Sequence, residues 1–320
     1  MIRAAPDASV RLSGLTRRFG SAVAVDALTL EVAPGELFGL VGPDGAGKTT
    51  TLRMLAGVLP PSEGDAHVCG VSIAEDPEGA KPHLAYMAQR FGLYEDLTVA
   101  ENLDFYADLF EVPRAERAAR LDRLYRFSRL DEFRDRRAGA LSGGMKQKLG
   151  LSCALIHQPR LLLLDEPTFG VDPISRRELW VILEEMVRGG TTLVVSTSYM
   201  DEAERCDRVA LLHEGRLLAL DSPAALRAAL PGTLFELHAR DPRRCRERLR
   251  AHPGVLGASL FGDAVHLLLA AGADVSTAMA WLATAGIEVL EVHPVEPTLE
   301  DVFIHRVSAG TSTSPPSGVM

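Results

Sequence analysis

A glycine-rich segment near the start of the chain has the residue types and spacing of a phosphate-binding loop. Residues 42–49 fit the pattern G-x-x-x-x-G-K-[ST] and read Gly42, Pro43, Asp44, Gly45, Ala46, Gly47, Lys48 and Thr49. Glycines let the backbone curve closely around phosphates, and the N–H groups at a helix N-terminus carry partial positive charge. Lys48 would reach the outer phosphates, and the Thr49 hydroxyl would bind Mg²⁺. The segment predicts a nucleotide site; incidental glycines are the alternative, which the later motifs make negligible.

Two adjacent carboxylates end an apolar run much further along the chain. Leu161–Leu164 predicts a buried strand, and Asp165 and Glu166 follow it directly. Because alternation along a strand sends neighbouring side chains in different directions, the two carboxylates suit separate tasks. Asp165 can hold Mg²⁺ while Glu166 acts as general base on an attacking water, an effect of roughly 10²- to 10⁴-fold. An isolated pair would favour a strand end turning into solvent, but the phosphate loop in the same chain favours catalysis.

A second glycine-rich turn precedes that strand. Leu141 is followed by Ser142, Gly143, Gly144 and Met145, which predict the start of a helix with Ser142 as its N-cap. Backbone N–H groups at such a start can hold a phosphate, although a helix cap alone would also explain the serine. One fold cannot easily aim two such turns at the same phosphate. The second turn therefore raises the question of whose nucleotide it would bind.

Taken in order, these motifs make the chain resemble the ATPase subunit of an ATP-binding cassette (ABC) transporter over about residues 9–225. The resemblance implies ATP and Mg²⁺ as cofactors and ATP hydrolysis coupled to transport as the activity. It implies that ATP is bound by Phe19, stacked on the adenine, and by Gly42, Pro43, Asp44, Gly45, Ala46, Gly47, Lys48, Thr49 and Thr50. It assigns catalysis to Glu166, Gln89 and Ser198, and the metal to Thr49, Gln89 and Asp165.

The same resemblance addresses the question of the second turn. It implies that the family's signature, here Ser142, Gly143, Gly144 and Met145, binds the γ-phosphate of ATP held by an opposing subunit. Residues 170–172 correspond to the loop that crosses to that subunit. Two subunits then enclose two ATP molecules, so that ATP favours the closed dimer and hydrolysis separates it. The partner cassette is either a second copy of this chain or a different one.

Residues 93–103 and 296–303 are similar to the type-2 exporter branch of the family, which includes multidrug, antibiotic and polysaccharide exporters. The implied function is to power such an exporter. No apolar run approaches the roughly 20 residues that cross a bilayer, so the integral membrane exporter subunits are expected to be separate chains. We expect this chain to be cytoplasmic and peripheral on the cytoplasmic face of the membrane. Its first residues have no apolar core typical of a signal peptide.

Three positions depart from the residues that are usual in the family. Ser198 stands where histidine is usual, Asp44 where asparagine is usual and Met145 where glutamine is usual. A serine hydroxyl is shorter than an imidazole and uncharged, so it cannot directly replace a γ-phosphate contact, although a bridging water could. Two hypotheses follow. Either some exporters tolerate these substitutions, or the site hydrolyses ATP slowly or not at all.

Two alternative functions stay open at this point. One is an ATP-gated cassette that barely hydrolyses ATP and is partnered with a different, active cassette. The other is a soluble, non-transport ABC ATPase that acts on nucleic acid or ribosomes. The net charge of −9 gives nucleic-acid binding no electrostatic support, and the chain has one cassette without a long coiled-coil insertion. We therefore expect no nucleic-acid partner.

The elements that position these motifs predict two folded regions and two terminal segments. The fold class is α/β, a P-loop NTPase of ABC type with a parallel-sheet core and antiparallel β and α-helical subdomains, plus a small C-terminal α+β ferredoxin-like domain. Strands such as Leu37–Val41 and Thr192–Ser196 supply the parallel core. The expected divisions are an N-terminal extension (1–9), the nucleotide-binding domain (10–230), the accessory domain (231–306) and a disordered tail (307–320).

The remaining polar residues favour structural roles. Four cysteines among 320 residues lack metal-ligand spacing, which predicts reduced, mostly buried thiols. Arginines crowd residues 114–137, where interspersed carboxylates favour a solvated helix face over contact with lipid headgroups. Nothing in the accessory domain indicates catalysis. Its histidines are dispersed in sequence and favour structural or exposed positions over metal binding: His238, His252, His266 and His293.

Overall fold

The computed structural model describes residues 9–311, which form two compact units that divide after Leu217. The strands, in chain order, are β1 (Val10–Phe19), β2 (Ala22–Val32), β3 (Leu37–Val41), β4 (Glu63–Val68), β5 (Val71–Ser72), β6 (Leu84–Met87), β7 (Leu161–Asp165), β8 (Thr192–Thr197), β9 (Arg208–His213), β10 (Arg216–Asp221), β11 (Thr233–Ala239), β12 (Val255–Phe261), β13 (Ala264–Leu269) and β14 (Val289–Pro294).

The helices of the same residues begin with the capping chemistry that their sequences predict. Asp172 accepts the N–H groups of Ile174 and Ser175, each at 3.0 Å, and Thr98 forms a capping box with Glu101. The α-helices are α1 (Lys48–Leu55), α2 (Pro77–Ala80), α3 (Val99–Leu109), α4 (Arg114–Ser128), α5 (Gly143–Leu155), α6 (Pro173–Arg188), α7 (Met200–Ala203), α8 (Pro223–Ala228), α9 (Pro242–Leu249), α10 (Val275–Thr284) and α11 (Leu299–Thr311). Within residues 9–311, none of the helices has the length and apolarity needed to cross a membrane.

The first unit is built around a six-stranded sheet in the order β10-β9-β3-β8-β7-β6. Strand β3 lies parallel to β8 and β9, and β7 lies parallel to β6 and β8. Every residue of β3, β7 and β8 is buried, as is typical of parallel strands covered on both faces. The carboxyl ends of these strands bring together the loops that follow them, including the predicted phosphate loop and the Asp165–Glu166 pair.

An antiparallel sheet and a helical region complete the first unit. The sheet has the order β2-β1-β4-β5, and Val10 of β1 lies opposite both Val32 and Val68. Helices α3, α4 and α5 share a separate core in which Leu103 and Leu149 are fully buried. The predicted α/β P-loop class, with antiparallel and helical parts beside a parallel core, is confirmed.

The second unit has the element order β11-α9-β12-β13-α10-β14 and the sheet order β12-β13-β11-β14. Its three strand pairings are antiparallel, which is the ferredoxin-like arrangement predicted for this region. Val265, Leu267 and Leu269 of β13 belong to a core that also includes residues of α9 and α10. Because side chains alternate along a strand, His266 faces the other side of the sheet, where α11 supplies Asp301.

The two terminal segments need correction. The prediction of a disordered tail from residue 307 is wrong as far as Thr311, because α11 continues to that residue. The hydroxyl of Ser308 donates to the carbonyl oxygen of Ile304 at 2.9 Å, a bond that lets serine continue a helix. At the other end, the N–H of Ser9 donates to the carbonyl oxygen of Val32 at 2.9 Å, so Ser9, directly before β1, is hydrogen-bonded to β2. The rest of both segments, 1–8 and 312–320, lies outside the described residues, and the domain boundary after residue 230 stays a prediction.

The arginine-rich helix and the cysteines have the surroundings expected of structural residues. In α4, Arg126 pairs with Asp122 at 2.8 Å and Arg120 with Glu116 at 2.5 Å, which supports the interpretation of a solvated, charge-balanced face. The cysteine thiols are free; Cys69 is half-buried, and the others are buried, namely Cys153, Cys206 and Cys245. Within the described residues, no group of three or more histidine, cysteine or acidic side chains is placed to hold a metal ion.

Candidate functional site

The loop between β3 and α1 has a backbone that glycine fits at two positions. Gly45 and Gly47 have φ angles of 79° and 98°, which residues with side chains rarely adopt. A Cβ atom at Gly47 would also lie 2.5 Å from the carbonyl oxygen of Ala24. Helix α1 begins at Lys48, so its first N–H groups have no partner within the helix and point into the loop. Residues 42–50 thus form a turn whose backbone donors can surround a phosphate.

The amine of Lys48 lies at the centre of this turn. The side chain is only 4% exposed, and Nζ donates to the carbonyl oxygens of Gly42 at 2.7 Å and Pro43 at 3.1 Å. Nζ also donates to the hydroxyl of Ser198 at 3.1 Å and lies 3.4 Å from Oε1 of Glu166. A buried ammonium group needs such partners, because an unpaired one is strongly destabilising. Lys48 therefore joins the loop, the position after β8 and the second carboxylate.

Asp165 is held from three elements. The carboxylate is 2% exposed, and its Oδ1 accepts hydrogen bonds from the hydroxyls of Thr49 at 2.9 Å and Ser196 at 2.8 Å. The hydroxyl of Tyr86, in β6, donates to Oδ2 at 3.2 Å. Burial, together with the charge of Asp165, raises the pKa of Tyr86 to about 12, so Tyr86 keeps its proton and acts as a donor at neutral pH. The carboxylate is fixed in one orientation beside Thr49.

Glu166 follows in a strained backbone conformation. Its φ is 46°, in the left-handed region, which costs a residue other than glycine about 1–2 kcal/mol. Its N–H donates to the hydroxyl of Ser196 at 3.0 Å. In the side chain, Oε1 accepts from the hydroxyl of Ser198 at 3.1 Å and Oε2 from Nε2 of Gln89 at 2.9 Å. The structure thus brings the three residues predicted to be catalytic together, because Gln89 and Ser198 both donate to the carboxylate of Glu166.

A cavity of about 380 Å³ lies against the phosphate loop. It is lined by Ala24, residues 44–50, Gln89 and Glu166. The lining thus combines the backbone N–H groups of the loop and the Lys48 amine with the amide of Gln89 and the carboxylate of Glu166. The hydroxyl, carboxylate and amide oxygens of Thr49, Asp165 and Gln89 are the ligand types that Mg²⁺ prefers. The residues therefore fit a nucleotide phosphate chain accompanied by a hard divalent cation.

Phe19 is not among the residues that line this cavity. It is the last residue of β1 and is 49% exposed, with the guanidinium carbon of Arg17 lying 4.7 Å from the centre of its ring. An exposed aromatic ring of this kind is available for stacking on a base. Its contact with adenine stays a prediction.

The signature turn lies apart from the cavity. Ser142 caps α5 by accepting the N–H of Met145 at 3.3 Å, as predicted for the start of this helix. Ser142 and Gly143 are exposed, whereas Gly144 is buried. A Cβ atom at Gly144 would lie 2.4 Å from both the Cβ and the Oγ of Ser175, so only glycine lets the turn pack this closely against α6. The turn is thus seated firmly, with its first residues directed to solvent.

A buried carboxylate that no sequence pattern indicates, Glu202, connects the elements around the site. It is 2% exposed and accepts hydrogen bonds from the hydroxyls of Thr168 at 2.6 Å and Thr197 at 2.7 Å. Nε of Arg176 lies 3.6 Å from Oε1 of Glu202. The guanidinium carbon of Arg176 lies 4.3 Å from the centre of the Tyr199 ring. Glu202 therefore ties the loop after Glu166 to the end of β8 and to α6.

Tyr86 and Ser196 were also missed as residues that hold Asp165. Both are polar residues within otherwise apolar strands that end at the site, and this pattern could have identified them. Glu202 has no comparable signal, because it belongs to a short helix with several acidic residues, and nothing in the local pattern shows which one is buried. Burial of that residue depends on tertiary packing.

Three of the accessory histidines, although dispersed in sequence, come together in the structure around one carboxylate. His238, His266 and His293 each have Nε2 within 3.3 Å of a carboxylate oxygen of Glu236, because β13 and β14 pair with β11 in a register that sets His266 and His293 opposite Glu236. Nδ1 of His266 also lies 2.7 Å from Oδ1 of Asp301. Burial alone would lower the pKa of His266, but Asp301 and Glu236 outweigh it and raise that pKa.

Comparison with known proteins supports the same assignment of the chain. Residues 25–169 match the family model described as ABC transporter, and residues 222–307 match the model described as the C-terminal domain of DrrA1-3-like ATP-binding proteins. The chain is 44% identical over 322 residues to the probable multidrug ABC transporter ATP-binding protein YbhF of Escherichia coli (strain K12). That alignment covers 98% of this chain but 55% of the relative, so the chain spans about half of YbhF.

Two further proteins match along most of their own length. The Nod factor export ATP-binding protein I of Paraburkholderia xenovorans (strain LB400) is 39% identical over 246 residues, which is 76% of this chain and 81% of the relative. A solved structure described as the ATP binding subunit of an ABC transporter is 32% identical with a TM-score of 0.62, and the match covers 68% of this chain and 92% of that one. With the phosphate loop, the carboxylate pair and the signature turn all in place, the chain belongs to the ATPase subunits of ATP-binding cassette transporters.

Proposed function

We propose that this chain binds and hydrolyses ATP to power an ABC exporter. The observation that carries the proposal is the convergence of Lys48, Glu166 and Gln89 around one cavity beside the phosphate loop, with Asp165 hydrogen-bonded to Thr49 of the same loop. The named relatives are a multidrug transporter subunit and a Nod factor export subunit, which supports export over import. If the purified chain hydrolyses no ATP, or hydrolyses it equally well without Glu166, the hydrolytic part of the proposal is contradicted.

The residues of the site divide the work of phosphoryl transfer. The loop N–H groups and Lys48 bind and orient the phosphates, and Phe19 stacks on the adenine. Thr49, Asp165 and Gln89 would hold Mg²⁺, which when bound neutralises charge on the phosphates. Glu166 takes the proton of the attacking water, and its contacts with Gln89 and Ser198 keep the carboxylate oriented.

The signature turn supports a dimer as the working form. Ser142 and Gly143 are exposed and do not line the cavity of their own chain, so their donors are available to a phosphate held by a second cassette. ATP bound between two chains would contact the phosphate loop of one and the signature of the other. The free energy of that contact favours the closed dimer, and hydrolysis removes it.

The proposed partners are integral membrane exporter subunits on separate chains and a second cassette, with this chain on the cytoplasmic face of the membrane. The direct test is co-purification with the product of a neighbouring reading frame that carries about six membrane-spanning runs. The complex is expected to hydrolyse ATP faster than the isolated chain. Failure to associate with any such subunit would contradict the transport assignment without affecting the assignment of the ATP site.

Dimer closure has its own test. The Glu166→Gln variant is expected to bind ATP, to hydrolyse it at a rate lower by roughly 10²- to 10⁴-fold, and to elute as a dimer from size-exclusion chromatography when ATP is present. Glu185, an exposed residue of α6, provides the matched control, and Glu185→Gln is expected to behave like the unmodified chain. A Glu166→Gln variant that binds ATP but stays monomeric would contradict closure of a homodimer and favour a different partner cassette.

One observation favours a second candidate function, an ATP-gated cassette that hydrolyses weakly and works with a different, active cassette. Ser198 is exposed, and its hydroxyl is already engaged by Lys48 and Glu166, so this short side chain has no reach toward a γ-phosphate. Purified chain that binds ATP with Mg²⁺ but shows no Glu166-dependent turnover would support this alternative. Brisk turnover by the chain alone would contradict it.

A further inference from the structure

The second unit contains a cavity of its own. Its volume is about 420 Å³, within the range of roughly 300–1,000 Å³ that is usual for small-molecule sites. Leu234, Leu268 and Ile304 form part of its apolar wall, from β11, β13 and α11. Each of the residues that line it belongs to the second unit, so the cavity is separate from the nucleotide site.

Three polar groups line this cavity with donor capacity left over. Nε of Arg250 donates to the carbonyl oxygen of Ala258 at 3.3 Å, and among the described residues its two outer nitrogens have no acceptor. Ser259 and His305 also line the cavity, and neither side chain has a hydrogen-bond partner in the described part of the chain. A guanidinium, a hydroxyl and an imidazole together favour an acceptor ligand, because a guanidinium only donates.

The carboxylate in the same wall is already occupied. Oδ1 of Asp301 lies 2.7 Å from Nδ1 of His266, and Oδ2 accepts from both the N–H and the hydroxyl of Thr298, at 2.9 and 2.7 Å. The other ring nitrogen of His266 faces Glu236 at 3.3 Å. Both oxygens of Asp301 are therefore engaged by His266 and Thr298, and neither is left over for a cationic ligand. The charge left without a partner at the cavity is the positive one of Arg250.

We propose that this cavity binds a small amphipathic carboxylate. The carboxylate group accepts hydrogen bonds from Arg250, Ser259 and His305, and an alkyl or aryl body lies against the apolar wall. Charge-assisted, bidentate contacts of this kind are the strongest that a guanidinium makes. The proposal goes beyond ATP-driven export and does not depend on it, because the cavity and its donors belong to the accessory unit alone.

Isothermal titration of the full chain with octanoate tests the ligand class. Octan-1-ol and octylamine serve as comparison ligands with the same alkyl body. Octanoate is expected to bind at least about tenfold more tightly than octan-1-ol, equivalent to about 1.4 kcal/mol, and octylamine is expected to bind most weakly. Equal binding of octanoate and octan-1-ol, or no binding of octanoate, would overturn the proposal.

Variants locate the ligand in the cavity. Arg250→Gln is expected to weaken octanoate binding about tenfold and to leave octan-1-ol unchanged, whereas Arg243→Gln, at an exposed position on α9, the helix that ends just before Arg250, is expected to leave both unchanged. Gly257 lines the cavity, and a Cβ atom there would meet only Leu268 at 3.9 Å, so Gly257→Leu fills the cavity without disturbing the sheet. Gly257→Leu is expected to abolish octanoate binding while ATP binding by the cassette continues. Octanoate binding that survives both Arg250→Gln and Gly257→Leu would show that the carboxylate binds elsewhere.

Discussion

Two glycine-rich turns of the cassette are proposed to bind phosphate, and they differ in how many of their side-chain polar groups have partners within the chain. At the phosphate loop, the amine of Lys48 has four partners within 3.4 Å, and most of the loop's functional side chains touch one another. At the signature, Ser142 serves only as a helix cap. Within the described residues, the N–H groups of Gly143 and Gly144 have no acceptor.

This difference indicates which of the two turns contributes to a nucleotide site within this chain and which contributes to a site shared with another chain. The functional side chains of the phosphate loop contact one another and the strand ends around them, so the chain itself fixes their orientation. The signature is equally well positioned, since Gly144 packs on Ser175, but its donors lack an acceptor. We infer that the first turn defines a site belonging to this chain and the second turn is half of a site completed by another chain.

The largest effect is expected at the phosphate loop, where a substitution should lower both ATP hydrolysis and the affinity for ATP. Lys48→Ala removes the buried amine from the phosphate loop and is expected to lower ATP hydrolysis by about 10³-fold, with a large loss of ATP affinity. Lys81→Ala, at an exposed lysine paired with Glu78, serves as the control. Fluorescent ATP binding and phosphate release measure the two quantities. Wild-type ATP affinity in Lys48→Ala would remove the basis for calling this turn the chain's own site.

The signature variant is expected to have the opposite profile. Ser142→Arg places a long side chain over exposed donors and is expected to lower hydrolysis by about 10²-fold, while the affinity of the monomer for ATP stays unchanged. Ser142→Thr retains the helix cap and a hydroxyl and is the matched control. Equal losses of ATP affinity in Ser142→Arg and Lys48→Ala would break the comparison, because both turns would then serve one nucleotide.

Glu202 provides a test of how the loop after Glu166 is held to the end of β8 and to α6. Glu202→Ala leaves the buried hydroxyls of Thr168 and Thr197 without their acceptor and removes the carboxylate that pairs with Arg176, so the free energy of unfolding is expected to fall by about 2–3 kcal/mol. Urea denaturation measures the change. Asp201→Ala, at an exposed neighbour in α7, is expected to change it by less than about 0.5 kcal/mol. A small effect of Glu202→Ala would mean that apolar packing alone holds the loop after Glu166 to β8 and α6.

The smallest expected effect concerns the departure at Ser198. Ser198→His supplies a longer donor to the γ-phosphate, and one such hydrogen bond, about 1.5 kcal/mol, is expected to raise turnover about tenfold. Ser198→Thr retains the hydroxyl and is expected to leave turnover unchanged. Initial rates of phosphate release under saturating ATP measure both variants. If Ser198→His does not raise turnover, the hypothesis that Ser198 slows ATP hydrolysis at this site is contradicted.

Local patterns were sufficient for the parts of the molecule in which neighbours in sequence are neighbours in space. The phosphate loop lies between a buried strand and a helix that starts at Lys48, and each of these has its own signal. The carboxylate pair follows an apolar strand of typical length. The predicted ferredoxin-like order was also visible, because the strands and helices of the second unit alternate clearly along the chain.

Patterns that depend on register and packing were not visible. Glu236 and His266 are 30 residues apart, and only the pairing of β11 with β13 sets them side by side. In the sequence, Glu202 resembles an ordinary surface carboxylate. Only the fold places the hydroxyls of Thr168 and Thr197 and helix α6 beside it. The helical end of α11 was missed because serine and threonine predict disorder by composition, whereas the backbone can accept a serine hydroxyl locally.

The left-handed backbone at Glu166 places selection for activity and selection for stability in opposition. Only glycine would occupy this conformation without strain, and a glycine there is expected to stabilise the fold by about 1 kcal/mol. It would also remove the general base. Selection for folding alone would favour glycine at this position, so the glutamate that this chain carries there indicates selection for activity. In an engineered library sorted for thermal stability alone, residue 166 is where function would be lost first.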